Sequence, residues 1–76
     1  MRTYTATTTA SSPTKSAYHY DLGSLQAQNI ENAFSVAEAI ARARGLGPYW
    51  VTVTTAGGVT YNNMLGRIHR KPRYGE

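Results

Sequence analysis

Between Ser35 and Tyr61 the apolar positions change period once. Val36, Ile40 and Ala43 recur at the spacing of one helix face, whereas Tyr49, Val51 and Val53, then Val59 and Tyr61, alternate as they do on a strand. Ser35 and Glu38 have the spacing of a capping box, with Phe34 and Ala39 placed as a weak hydrophobic staple. Gly45, Leu46 and Pro48 supply a stop of the Schellman kind. The pattern predicts a helix of about ten residues beginning at Ser35, followed by a hairpin.

Opposed residues in a hairpin share a face, so its register is tested by asking which pairing puts like with like. A two-residue Gly57 and Gly58 turn opposes Val53 to Asn62 and mixes polar with apolar. A three-residue loop of Ala56, Gly57 and Gly58 opposes Val53 to Tyr61, Thr55 to Val59 and Tyr49 to Leu65. That register predicts Tyr49, Val51, Val53, Val59, Tyr61 and Leu65 beneath the helix, with Thr52, Thr54, Thr60 and Asn62 facing away. Trp50 and Met64 then stand opposite each other on the outer face, and Gly66 reads as a bulge returning Ile68 inward.

The first half of the chain is less sharply patterned. Met1 to Ser12 alternates Thr with Tyr4, Ala6 and Ala10, which suits an edge strand or a flexible tail over residues 1–15. Ser11, Ser12 and Pro13 read as a turn. From Ser16 to Leu22, Tyr18, Tyr20 and Leu22 share one face, the core side, and His19 and Asp21 the other, with Gly23 and Ser24 placed to reverse the chain. Leu25 to Ala33 fits either a strand or a backward extension of the helix. The strand reading is preferred, because a cap at Ser35 has no use inside a helix.

The fold class expected is α+β: a small antiparallel sheet of three to five strands with one short helix packed on one face, in a single domain spanning 1–76. The other face is nearly free of large apolar side chains apart from Trp50 and Met64. An aromatic left there anchors a partner or starts a dimer contact, unless a segment such as Met1 to Ala10 folds over it.

Composition narrows the setting. The chain has 76 residues and no cysteine, which removes disulfides and thiolate metal sites. A chain this small buries only about 60% of its unfolded surface, so a homodimer or a larger partner is one source of added stability. Neither a membrane-spanning apolar run nor the apolar centre of a signal peptide is present, and the reading is cytoplasmic. Eight Lys and Arg against four Asp and Glu give a formal charge of +4, which favours nucleic acid or an acidic protein as partner.

The run Ile30, Glu31, Ala33, Ser35, Ala37, Ile40 and Ala41, leading through Gly45 into Tyr49 to Val53 and Val59 to Tyr61, resembles small phage-encoded anti-CRISPR proteins of the type I inhibitor group. The resemblance covers about half the chain and rests mostly on core and capping positions. It implies a non-enzymatic inhibitor, at work in the cytoplasm of a host cell, that binds a type I surveillance complex through Cas subunits, guide RNA or target DNA. Many members of that group are acidic and this chain is basic, which argues against DNA mimicry. No functional residue carries over by motif.

The candidate partner-binding residues therefore come from this sequence alone. Trp50 and Met64 are the apolar candidates. Arg67, Arg70, Lys71, Arg73 and Tyr74, in a basic C-terminal tail over 69–76, are the phosphate-directed ones, with Tyr74 able to stack on a base. Arg42 and Arg44 are secondary candidates, since cations at a helix C-terminus also offset its dipole. No catalytic residue, metal site or cofactor is assigned: His19 and Asp21 lack a nucleophile or ligand spacing, and the glycines lack the phosphate-loop lysine. An inhibitor docking a protein or ribonucleoprotein complex, and an autonomous basic nucleic-acid-binding module, are the two readings that remain.

Overall fold

In a computed structural model of the chain, which describes residues 1–12, 15–64 and 66–70, the elements run β1 Arg2–Ser12, β2 Lys15–Ala27, α1 Ile30–Ala43, β3 Gly47–Thr55, β4 Thr60–Asn62 and β5 His69–Arg70. The strands form one antiparallel sheet in the order β2-β1-β3-β4-β5, and α1 lies over one side of it. The expected α+β fold of two layers is the one observed.

The helix starts earlier than its spacing predicts. Asn29, with extended backbone, accepts from the Asn32 amide through Oδ1 at 2.8 Å, and Asn32 Oδ1 accepts from the Gln28 amide at 3.1 Å. This is a variant of the capping box in which the returning bond goes to the residue before the N-cap, and it replaces the expected Ser35 and Glu38 pair. Ser35 sits inside the helix, its Oγ donating back to the Glu31 carbonyl at 3.4 Å. Residues 30–33 are thus helix rather than strand, while Leu25 to Ala27 belong to β2. The end is as expected: the Gly45 amide donates to Arg42 O and the Leu46 amide to Ala41 O, both at 3.0 Å, with Gly45 at φ +78°.

β1 is an interior strand, neither an edge nor a tail. It pairs with β2 on one side and β3 on the other, so β2 and β3 are parallel with β1 between them. The helix joining them must cross two strand spacings, about 10 Å, which is also about the width of a helix. Threonine suits the interior position because its hydroxyl can be satisfied there. Thr8 Oγ1 donates to the Trp50 carbonyl at 2.8 Å, and Thr9 Oγ1 bonds His19 Nδ1 at 2.8 Å.

The core lies between sheet and helix. Tyr4 and Ala6 of β1, Leu22, Leu25 and Ala27 of β2, and Val51 and Val53 of β3 meet Ala33, Phe34, Ala37 and Ala41. The helix stripe steps by four residues through alanine, letting its backbone come close to the sheet, and Phe34 fills the space beside it. Val36 and Ile40 are only half-buried and Ala43 is exposed.

Gly23 does not reverse the chain. At φ +78° it forms a bulge with Leu22 opposite Ala6, and Asp21 Oδ1 accepts from its amide at 2.8 Å. The bulge keeps Leu22 in the core and lets β2 run on for 13 residues. Tyr18 and Tyr20 are not core: Tyr18 is exposed and Tyr20 half-buried, packed edge to face at 5.4 Å. Just past the end of α1, Arg44 Nη1 donates to the Asp21 carbonyl at 2.9 Å.

The β3–β4 register is the one that the like-with-like test selects. Val53 faces Tyr61 and Thr54 faces Thr60. The Thr55 amide donates to Val59 O at 2.8 Å, with Gly58 at φ +85°. The ladder stops sooner than expected. Asn63 Oδ1 accepts from the Val51 amide at 2.7 Å while its Nδ2 donates to Glu38 Oε1 at 3.1 Å, so Asn63 joins β3 to the helix where β4 ends.

Candidate partner-binding surface

Alternation and register together assign the chemistry of the side of the sheet away from α1. Thr5, Thr7 and Thr9 of β1 stand opposite Thr54, Thr52 and Trp50 of β3, and Thr54 and Thr52 in turn stand opposite Thr60 and Asn62 of β4. His19 and Asp21 of β2 flank Thr9 and Thr7, and His69 of β5 flanks Asn62. The positions of β1, β3 and β4 on this face carry hydroxyls, an amide and one indole, and no Lys or Arg.

Trp50 is on the predicted side, outside the core cluster, but half-buried rather than free. It lies opposite Thr9, which is only 7% exposed. Tyr49, expected beneath the helix, is 55% exposed. It is the extra residue of a second bulge, since Thr9 pairs with Trp50 and Ala10 with Pro48. Its ring lies 6.5 Å from that of Trp50.

Met64 does not pair with Trp50. β4 ends at Asn62, whose Oδ1 accepts from the Met64 amide at 3.3 Å in a turn, and Met64 is 51% exposed. Gly66 belongs to the same turn, its amide donating to Asn63 O at 3.1 Å with φ +79°, and Ile68 is exposed rather than inward. Leu65, and with it the expected pairing to Tyr49, lies outside the described residues.

The cationic candidates are not gathered around the indole. His69 and Arg70, expected in the tail, form β5, and Arg70 stands opposite Tyr61 on the helix side of the sheet. Arg42 is exposed near the end of α1, while Arg44 holds that end to β2. Arg67 is exposed in the bend before β5. Lys71, Arg73 and Tyr74 lie outside the described residues. The register therefore puts Trp50 on one side of the sheet and Arg70 on the other.

His19 and Asp21 are engaged separately, the ring with Thr9 and the carboxylate with the Gly23 amide, and they form no dyad. Among the described residues no group of three His, Cys, Asp or Glu is placed to hold a metal, and no helix is long and apolar enough to cross a membrane. The β1 threonines of the helix-free face were missed because β1 looked like an edge. Their signal, hydroxyls at every odd position from Thr3 to Thr9, was present. Comparison with protein-family models, curated proteins and solved structures gives no match.

Proposed function

We propose that the protein is a non-enzymatic binding module whose helix-free sheet face docks a protein or ribonucleoprotein partner, with Trp50 as its anchor. One observation carries this reading: the indole stands on a broad hydroxyl face whose β1, β3 and β4 positions hold no Lys or Arg. Indole and hydroxyl groups suit the desolvated centre of a protein interface, where charged residues are depleted. Tracking a phosphate backbone needs cations on the contacting surface. The partner class to test first is the one the family resemblance implies, a type I CRISPR surveillance complex, with the protein acting as its inhibitor.

The test is co-purification of the tagged full chain with such a complex, together with an interference assay in cells. The expected result is capture of a Cas subunit and loss of interference, with Trp50→Ala weakening capture at least about tenfold. No capture and unchanged interference would remove the inhibitor reading.

The exposed Arg42, Arg67 and Arg70 favour a second reading, a module that binds nucleic acid directly. Binding to bare DNA or RNA that falls steeply as salt rises would support it. The absence of any gel shift at low salt would exclude it.

A further inference from the structure

At the end of the sheet where β1 begins, a cleft of about 400 Å³ is lined by Arg2, Thr3, Tyr4, Thr55, Ala56 and Gly57. Two of its residues have unused hydrogen-bonding capacity. Tyr4 is 3% exposed and its ring belongs to the core cluster, yet its hydroxyl bonds to no described residue. A buried phenol ordinarily finds a partner. The hydroxyl is not sealed in either: among the described residues the one fully buried side-chain atom without a partner is His69 Nε2. What remains accessible of Tyr4 thus includes its hydroxyl, and Tyr4 is one of the residues that line the cleft. The Arg2 guanidinium, exposed at the mouth, has no hydrogen-bond or ion-pair partner among the described residues.

The opposite wall is held in place independently. Thr55 Oγ1 accepts from the Val59 amide at 3.1 Å and Thr55 O from the Gly58 amide at 3.0 Å, so the loop that carries Ala56 and Gly57 is built before any ligand arrives. Among the described residues no carboxylate lines the cleft to compete for the guanidinium.

We propose that this cleft binds a small monocarboxylate bearing an apolar group. The guanidinium fork matches a carboxylate with two parallel N–H bonds, and the Tyr4 hydroxyl adds a donor deeper in. Ala56 and the Tyr4 ring give the rest of the molecule an apolar wall. A single cation suits one negative charge better than the two of a phosphate. The volume is at the small end of the range for ligand sites, about 300–1,000 Å³. The cleft lies mainly on the helix side of the sheet, where Arg2, Tyr4 and Thr55 stand, and Thr3 is its one strand residue from the helix-free side.

The test is an amide-resolved NMR titration of the full chain with sodium benzoate, beside inorganic phosphate and benzyl alcohol. Saturable shifts at Thr3, Tyr4 and Thr55 to Gly57 are expected with benzoate, and weaker binding or none with the other two. Arg2→Gln should weaken benzoate binding about tenfold and Tyr4→Phe about threefold to tenfold, each with an unchanged melting curve. Since Arg2 is exposed, its substitution tests the site without touching the core. Three results would overturn the proposal: no saturable shift at these amides, phosphate or benzyl alcohol binding as tightly as benzoate, or both variants binding like the parent.

Discussion

The two faces of the sheet are made by the same strands and the same alternation, yet they share almost no chemistry. On the covered side, Val51, Val53, Ala6 and Leu25 meet an alanine stripe and Phe34. On the other, Thr5, Thr7, Thr52, Thr54 and Thr60 present hydroxyls around one half-buried indole. Most of the apolar surface that leaves water does so on the first side, so folding free energy is concentrated there. A small domain with one such layer has little stability in reserve, while its second face is free to vary without unfolding the chain. That separation makes a recognition role for the helix-free face compatible with a fold this small.

The contrast can be broken from the covered side first. Phe34→Ala should cost about 3–5 kcal/mol, close to the whole stability of a small domain. Urea or thermal denaturation followed by circular dichroism would report a chain largely unfolded at room temperature. A variant with an unshifted midpoint would mean that the helix does not pack as described. Ile40→Ala, at a half-buried position, should fall at the lower end of the aliphatic range, about 2 kcal/mol.

Asn63→Ala comes next, at about 2 kcal/mol, because it removes the Val51 and Glu38 bonds that join the end of the ladder to α1. Hydrogen exchange should then quicken at the Val51 amide specifically. Two substitutions at the helix start separate the competing caps. Asn29→Ala should cost about 1 kcal/mol, and Ser35→Ala should stay within about 0.5 kcal/mol. The reverse order in paired melts would restore the shorter helix.

The smallest stability effects belong to the helix-free side. Thr7→Ser and Thr52→Ser should each move the unfolding free energy by no more than about 0.5 kcal/mol. Trp50→Ala sharpens the comparison most, because its large effect should appear in partner capture, at least about tenfold, and only a small one in the melting curve. A collapse in stability from Trp50→Ala alone would place the indole in the core and merge the two faces.

Some of this was legible from local sequence. The three-residue loop and the Val53–Tyr61 register follow from alternation and two glycines, and the helix stop follows from Gly45 and Leu46; each is settled within a few residues of chain. The true N-cap was legible too, since Asn29 and Asn32 stand three residues apart, as Ser35 and Glu38 do. Two look-alike caps six residues apart are separated only by which one lets Ala33, Phe34, Ala37 and Ala41 face the sheet.

What the chain's own order could not decide was the place of β1. A threonine-rich strand with alanines between reads as marginal, because its low hydrophobicity says nothing about neighbours on either side. Tertiary structure put it inside the sheet, because α1 carries the chain across two strand positions and leaves a gap that β1, joined to β2 by a short connection, fills antiparallel. The same long-range pairing sent Trp50 and Arg70 to opposite sides and left a cleft beside Arg2. Amino-acid order determined which groups the protein has and where its helix ends and turns fall; which of those groups become neighbours depended on hydrogen bonds between residues some forty positions apart, such as Thr8 and Trp50.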